Sequence, residues 1–143
     1  SVTALELLGH LISKDAGTPR GQFFIELRRD IEKDQSTLRD LLERLDFKEN
    51  PVRKAVGWFS EKFARTKLSV EDPGGDNLGI FEKLEGLSLG IAGKRGLWRA
   101  LNAVADATPE LQAMDLKALE ERASEQFERV ETLRLDAARE AFA

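Results

Sequence analysis

Residues 84–98 read LEGLSLGIAGKRGLW. They lie within a run from Asn77 to Ala105 that is apolar on most sides, contains no proline and is long enough for many helical turns. Such a run predicts a central helix of a helical bundle. Bundles of this size often hold a carboxylate-bridged metal pair through Glu-x-x-His motifs. This helix contains no such motif, so it does not supply the ligands of a carboxylate-bridged metal pair.

Three Xaa-Pro pairs predict further helix starts. Each places a capping side chain at the N-cap and proline in the first turn, where its missing N–H costs nothing. The pairs are Thr18-Pro19, Asn50-Pro51 and Thr108-Pro109. Apolar residues elsewhere recur at spacings of three and four, which is typical of amphipathic helices, and no stretch alternates as a strand does.

These signals predict helices over residues 1–16, 19–45, 51–67, 77–105 and 109–142, the last split or bent near Asp115. Gly17 ends the first helix, whose periodicity already runs at residue 2 and so predicts a start upstream of Ser1. Residues 71–77 have the composition of a turn. Four long helices and a short connector predict one all-α domain over residues 1–143. We expect a ferritin-like up-down four-helix bundle with a short extra crossover helix, and another four- or five-helix arrangement stays open.

Composition excludes several classes of function. The chain has 143 residues, 41% of them hydrophobic and 34% charged, as in a soluble globular protein. A net charge of −4 argues against a general nucleic-acid binder, and no apolar run reaches the roughly 18 residues that span a membrane. The absence of cysteine predicts a cytoplasmic protein, although it would also suit the periplasm. The single histidine, His10, falls on the polar side of its helix, where we expect it to be solvated.

Three segments carry a resemblance to a known group of proteins. Residues 21–35 (GQFFIELRRDIEKDQ), 81–94 (FEKLEGLSLGIAGK) and 133–142 (LRLDAAREAF) together resemble uncharacterised bacterial proteins of the ferritin-like superfamily. The resemblance implies a ferritin-like helical bundle but no known activity, so it assigns no catalytic residue. The paired Glu and Glu-x-x-His ligands of metal-binding ferritin relatives have no counterpart here, which argues against iron oxidation or storage.

Charged residues on apolar stripes suggest a buried ion-pair network. Asp34 lies between Ile31 and Leu38 on the second helix, and Arg134 lies on the apolar face of the last. Because burying an unpaired charge costs several kcal/mol, such groups should pair with one another. The predicted members are Asp34, Glu85, Arg95 and Arg134, located where a ferritin relative keeps its metals. Alternatively, one or more of these side chains point outward between helices.

Carboxylates inside a bundle could also bind a hard cation without histidine, because such ions accept all-oxygen ligand shells. The candidate ligands are Asp30, Asp34, Glu85 and Glu120. Nearby arginines oppose this interpretation by Coulomb repulsion.

Glycines cluster on one side of the fourth helix. Each costs about 1 kcal/mol of helix stability relative to alanine, which suggests a compensating role. Close helix–helix packing is the expected role of Gly86, Gly90 and Gly93, and a small-ligand slot beside Gly86 and Gly90 is the alternative.

Together, these observations predict a non-enzymatic protein without cofactors that acts through contacts of its helix faces. Trp58 lies beside the apolar face of the third helix and could contribute to a homodimer surface. Two alternatives remain: a carboxylate-only metal-binding protein, as a diiron-type oxidase or storage protein, and a protein that binds a small ligand between its helices.

Overall fold

The computed structural model describes residues 4–45, 50–64 and 76–143. Within these ranges the chain is all-helical, which confirms the predicted class. The five helices are α1 (Ala4–Lys14), α2 (Pro19–Arg44), α3 (Pro51–Ala64), α4 (Asp76–Val104) and α5 (Leu116–Phe142). Two short 3-10 turns, Ala105–Ala107 and Pro109–Leu111, connect α4 to α5. The predicted start of the first helix before Ser1 and most of the predicted turn at 71–77 lie outside the described residues.

Local chemistry explains the helix boundaries. Gly17 has a φ of 80°, a conformation that glycine adopts without strain, and it separates α1 from α2. The Thr18 hydroxyl then caps α2 by accepting a hydrogen bond of 3.0 Å from the Gly21 N–H. Asn50 caps α3 in the same way, through a 2.8 Å bond from the Val52 N–H to its Oδ1. The first two Xaa-Pro pairs therefore mark helix starts as predicted.

The third pair behaves differently. Pro109 opens only a 3-10 turn, and the Thr108 side chain makes no capping bond. The α-helix begins at Leu116, because Asp115 is its N-cap and accepts a hydrogen bond from the Ala118 N–H at 3.1 Å. The predicted break near Asp115 is confirmed, and the piece before it, which begins at Pro109 as predicted, is a three-residue 3-10 helix rather than an α-helix.

Side-chain contacts fix the directions of the long helices. α4 and α5 pack antiparallel along their lengths, with Arg99 bonded to Glu120 at one end and the rings of Phe81 and Phe142 5.2 Å apart at the other. α2 runs antiparallel to α5, because Asp34 contacts Arg122 whereas the earlier Phe23 contacts the later Arg129. It follows that α2 and α4 run in the same direction.

The core consists of two apolar clusters, one in each half of the bundle. The first joins α1 to the first half of α2, the first half of α4 and the second half of α5. The second cluster joins α3 to the second half of α2, the second half of α4 and the first half of α5, and it contains the fully buried Trp98. Phe59 of α3 packs against both clusters. The three long helices α2, α4 and α5 therefore pass through both halves of the core.

Candidate functional site

A layer of polar side chains separates the two apolar clusters. Along α2, the first cluster ends at Ile31 and the second begins at Leu38, and Asp34 lies between them. Lys94 occupies the corresponding place on α4 and Gln126 that on α5. Asp34 and Lys94 are each 1% exposed and Gln126 is 5% exposed. This is the most deeply buried charged group in the described part of the chain.

Hydrogen bonds connect the layer into one chain of contacts. The Lys94 Nζ donates to Asp34 Oδ2 and to Gln126 Oε1, both at 2.7 Å. The Gln126 Nε2 donates in turn to Asp30 Oδ2 at 3.2 Å. The second carboxylate oxygen of Asp34, Oδ1, accepts from Arg122 Nη2. Both oxygens of Asp34 and both ends of the Gln126 amide are thereby satisfied, as buried polar groups require.

Burial dominates the electrostatics of Lys94. Removing its ammonium from water lowers the pKa of Lys94 from its ordinary value of 10.5, and the Asp34 carboxylate only partly opposes this shift. The Arg122 guanidinium lowers the pKa of Lys94 further. The layer therefore holds two cations around one enclosed carboxylate, Asp34, with Asp30 at its edge.

Arg122 closes the layer towards solvent. Its side chain is 31% exposed and lies between α2 and α5. Two clefts meet at this residue. The larger, of about 370 Å³, is lined by Thr37, Met114, Asp115, Ala118, Leu119 and Arg122. The smaller, of about 90 Å³, is lined by Phe23, Glu26, Leu27, Asp30, Arg122, Glu125, Gln126 and Arg129.

A second ion-pair cluster lies closer to the surface. Arg134 Nη1 is 2.8 Å from Glu85 Oε2, and Arg134 also contacts both carboxylate oxygens of Glu131. The hydrogen bonds to Glu131, and to a smaller extent the bond to Glu85, raise the pKa of Arg134 above its ordinary value. The hydrogen bond from Arg134 in turn lowers the pKa of Glu131. The Glu85 side chain is 43% exposed, so solvent screens this pair and its contribution to stability is small.

The four residues predicted to form one buried network are divided among three places. Asp34 belongs to the buried layer, whereas Glu85 and Arg134 bind each other in the outer cluster. Arg95 makes a cation–π contact, its guanidinium carbon lying 4.7 Å from the centroid of the Phe127 ring. The single four-residue network was therefore wrong. The partner of Asp34 on α4 is Lys94, and Glu85 lies nine residues, about 13 Å, from Lys94 along that helix, so Glu85 does not reach Asp34.

The predicted carboxylate-only metal site is also not assembled. Glu120 binds Arg99 at 2.7 Å and Glu85 binds Arg134, so neither carboxylate is joined to Asp30 or Asp34. Among the described residues, no group of three or more metal-ligating side chains lies close enough together to hold an ion. The Lys94 ammonium occupies the position beside Asp34 that a cation would need.

The three glycines of α4 that are predicted to pack closely differ in their burial. Gly86 is buried and Gly90 is half-buried. A Cβ at Gly93 would lie 3.5 Å from Phe59 Cε2, which is an ordinary van der Waals contact, so the packing there does not require glycine. Close packing at Gly86, Gly90 and Gly93 therefore stays a prediction. Neither cleft beside Arg122 is lined by Gly86 or Gly90.

Three members of the layer were not predicted from the sequence: Lys94, Arg122 and Gln126. A signal for two of them exists. Lys94 falls at the centre of the buried stripe Leu87, Ile91, Trp98 and Leu101, and Gln126 falls between Ala123 and Val130 at the spacings of three and four that define the buried face of α5. A lysine and an amide at such positions indicate buried polar partners. Arg122 is at the flank of that face, and its sequence position alone does not distinguish it from a surface arginine.

Comparison of the chain with protein-family models, with curated proteins and with solved structures gave no match. Among the described residues, no helix combines the length and the apolar composition that crossing a membrane requires.

Proposed function

We propose that this chain is a non-enzymatic, ferritin-like helical-bundle protein of the cytoplasm in which a buried ion pair takes the place of a metal centre, and that it acts through its outer helix faces. The observation that carries the proposal is the Lys94 ammonium, 1% exposed, held at 2.7 Å by both Asp34 and Gln126 in the middle of the bundle.

The helix directions support a ferritin-like architecture. α1 and α2 are joined by a tight turn, α4 and α5 form an antiparallel pair, and α2 and α4 run in the same direction. The connection between α2 and α4 must therefore return along the bundle, and it contains α3. One long crossover of this kind is what distinguishes ferritin-like bundles from simple up-down ones.

Charge supports the absence of a metal role. A divalent cation near Asp34 would have to displace the Lys94 ammonium and would still lie beside the Arg122 guanidinium. At a few ångströms, in a partly dehydrated interior, two such positive charges repel a third by several kcal/mol. The enclosed amine is also withdrawn from solvent, which supports a structural rather than a catalytic role.

An exposed face of α4 supports an interaction role. Leu89, Gly93, Gly96 and Ala100 follow one another at spacings of four, three and four, and all are exposed. Leu89 is 64% exposed, and a Cβ at Gly96 would meet no atom within 4 Å. Helices pair along faces whose residues repeat at spacings of three and four, and the small residues at three of these four positions would let a partner helix approach closely. We propose that this face pairs with a second copy, with Trp58, which is 64% exposed, at its border.

Metal analysis tests the first part of the proposal. The full-length protein is produced in medium supplemented with iron and manganese, purified without chelator and analysed for its elements. We expect far less than one metal ion per chain. Near-stoichiometric metal that is lost in Asp34→Ala, but retained in the control Asp136→Ala on the exposed face of α5, would contradict the proposal. It would support a carboxylate-only oxidase or storage site instead.

Sedimentation equilibrium tests the second part. We expect concentration-dependent dimers that Gly96→Glu abolishes, because it places a charge in the middle of the proposed interface. Glutamate has a higher helix propensity than glycine, so the substitution does not weaken α4 itself. Ser36→Glu adds the same charge at an exposed position of α2 and should leave the dimer intact. A monomeric wild type, or a dimer that tolerates Gly96→Glu, would rule out this interface.

A further inference from the structure

We propose that the larger cleft between α2 and α5 is a binding site for a small amphiphilic monocarboxylate, whose carboxylate is held by Arg122 and whose apolar part packs against Met114 and Leu119. This site is separate from the outer face of α4, so it stands or falls independently of the proposed function.

The size and lining of the cleft suit such a ligand. Its volume of about 370 Å³ is within the range of small-molecule sites. Met114, Ala118 and Leu119 contribute the apolar part of the lining, and Thr37, Asp115 and Arg122 contribute the polar part, in which one carboxylate is balanced by one guanidinium. A predominantly apolar pocket with a few polar groups is the usual composition of a ligand site.

Arg122 has donors to spare. A guanidinium has five N–H groups, and the described contacts of Arg122 use one nitrogen, Nη2, for Asp34. The other guanidinium nitrogens of Arg122 are free of these contacts, and the Arg122 side chain lines the cleft and is 31% exposed. A planar guanidinium edge matches a carboxylate through two parallel hydrogen bonds, which makes a carboxylate the best-fitting anion of small size.

Asp34 tolerates this sharing. Its Oδ2 accepts from Lys94 independently of Arg122, so a ligand that draws part of the guanidinium towards the cleft does not leave the buried carboxylate without a partner. Arg122 can therefore bind a ligand on its outer edge while Lys94 keeps the core neutralised.

The smaller cleft is a poorer site for an anion. Its lining contains the carboxylates of Glu26, Asp30 and Glu125 against the guanidiniums of Arg122 and Arg129, which gives an excess of negative charge. Its volume of about 90 Å³ is also too small for more than a few atoms. Arg129 lines the smaller of these two clefts but not the larger, and it lies 4.0 Å from the centroid of the Phe23 ring, so it serves as the control arginine.

Titration of the ¹⁵N-labelled protein followed by NMR tests the proposal. The probes are hexanoate, octanoate and 4-phenylbutyrate, with 4-phenylbutan-1-ol as the uncharged match of the last. We expect at least one acid to bind with a Kd of about 1 mM or tighter, as its size allows. Its shifts should be confined to residues around the cleft. The alcohol should bind about tenfold or more weakly, since it cannot form the charge-assisted bonds.

Substitutions at Arg122 and Ala118 test separately whether binding needs the guanidinium charge and whether it needs the open volume of the cleft. Arg122→Gln should weaken acid binding about tenfold or more, whereas Arg129→Gln should leave the Kd unchanged. Ala118→Phe places a ring in the cleft from an exposed position, so it should abolish binding in a protein that remains folded. The proposal is overturned if no acid shifts the cleft residues, if the acid and the alcohol bind equally, or if binding survives Ala118→Phe.

Discussion

Lys94 is the residue whose surroundings differ most from those its side chain prefers. A lysine that is 1% exposed loses the hydration of its ammonium, and its lowered pKa reflects that loss. Asp34 and Gln126 compensate through two bonds of 2.7 Å. A buried ion pair of this kind contributes little net stability compared with well-packed apolar residues, but breaking it is costly. Its position on facing helices suggests that it fixes the register of α2, α4 and α5.

A double-mutant cycle measures this asymmetry. Asp34→Leu should lower the free energy of unfolding by about 3–5 kcal/mol, because it leaves Lys94 buried without its carboxylate. The double variant Asp34→Leu with Lys94→Met should recover most of that loss, since the remaining cation, Arg122, reaches solvent. Urea unfolding at constant m-value is the measurement. Asp136→Asn, at an exposed pair with Arg139, is the control and should change stability by less than about 1 kcal/mol. Additive losses at positions 34 and 94 would contradict the pairing.

The lowered pKa of Lys94 also predicts a dependence of stability on pH. Between that lowered pKa and the ordinary value of 10.5, the folded chain binds fewer protons at Lys94 than the unfolded chain does. The contribution of Lys94 to the free energy of unfolding therefore rises with pH in this window. Below the lowered pKa, the destabilisation caused by burying the charged Lys94 is fully present. Urea midpoints of the wild type, measured from neutral pH to about pH 10, should rise relative to those of Lys94→Met. A parallel pH dependence in the two proteins would show that Lys94 is not desolvated.

At the scale of the element, the helix boundaries were largely predictable and the rotation of one helix was not. Thr18-Pro19 and Asn50-Pro51 fixed the starts of α2 and α3 because capping is a local interaction between a side chain and the next turn. α4 is apolar on most sides, so its pattern does not reveal which face is buried. The prediction therefore placed Arg95 in the core, whereas its neighbour Lys94, about 100° away around the helix axis, is the residue that is buried there.

The same limit explains the partial success at the site. Asp34 could be found because α2 is strongly amphipathic and the residue interrupts its apolar stripe. Its partners depend on which faces of α4 and α5 meet it, and this is a tertiary property that the spacing along one helix does not contain. Glu85 and Arg134 do pair, but in a more exposed layer, because the antiparallel α4 and α5 bring them together about two and a half turns from Lys94.

Alanine substitutions at two glycines, Gly21 at the start of α2 and Gly9 within α1, should have opposite effects on stability. A Cβ at Gly21 would lie 2.1 Å from the Asp15 carbonyl oxygen, so Gly21→Ala forces the backbone apart and should lower the free energy of unfolding by about 1–3 kcal/mol. Gly9 lies inside α1 with no atom within 4 Å of an added Cβ. Gly9→Ala should therefore raise stability by up to about 1 kcal/mol through helix propensity. Thermal unfolding of both variants distinguishes these signs, and equal shifts would mean that the turn opens at little cost.

At the scale of the whole molecule, the polar layer divides the core without dividing the chain. α2, α4 and α5 each contribute to both apolar clusters, and Phe59 of α3 packs against both. Neither cluster can lose its packing while the three helices stay in place, because each helix is held on both sides of the layer. We therefore expect the chain to unfold as one cooperative unit, as small single domains usually do.

Trp98 makes this expectation measurable. It is fully buried in the second cluster, whereas Trp58 is 64% exposed, so the variant Trp58→Phe leaves a fluorescence signal from the core alone. In this variant, loss of Trp98 fluorescence with urea should coincide with loss of helical circular dichroism, which reports on both halves of the bundle. Adding Asp34→Leu should shift both transitions together, since the layer links the clusters. If Trp98 became exposed at a lower urea concentration than the loss of helix, the second cluster would be an independent unit, and the layer would be a boundary between two of them.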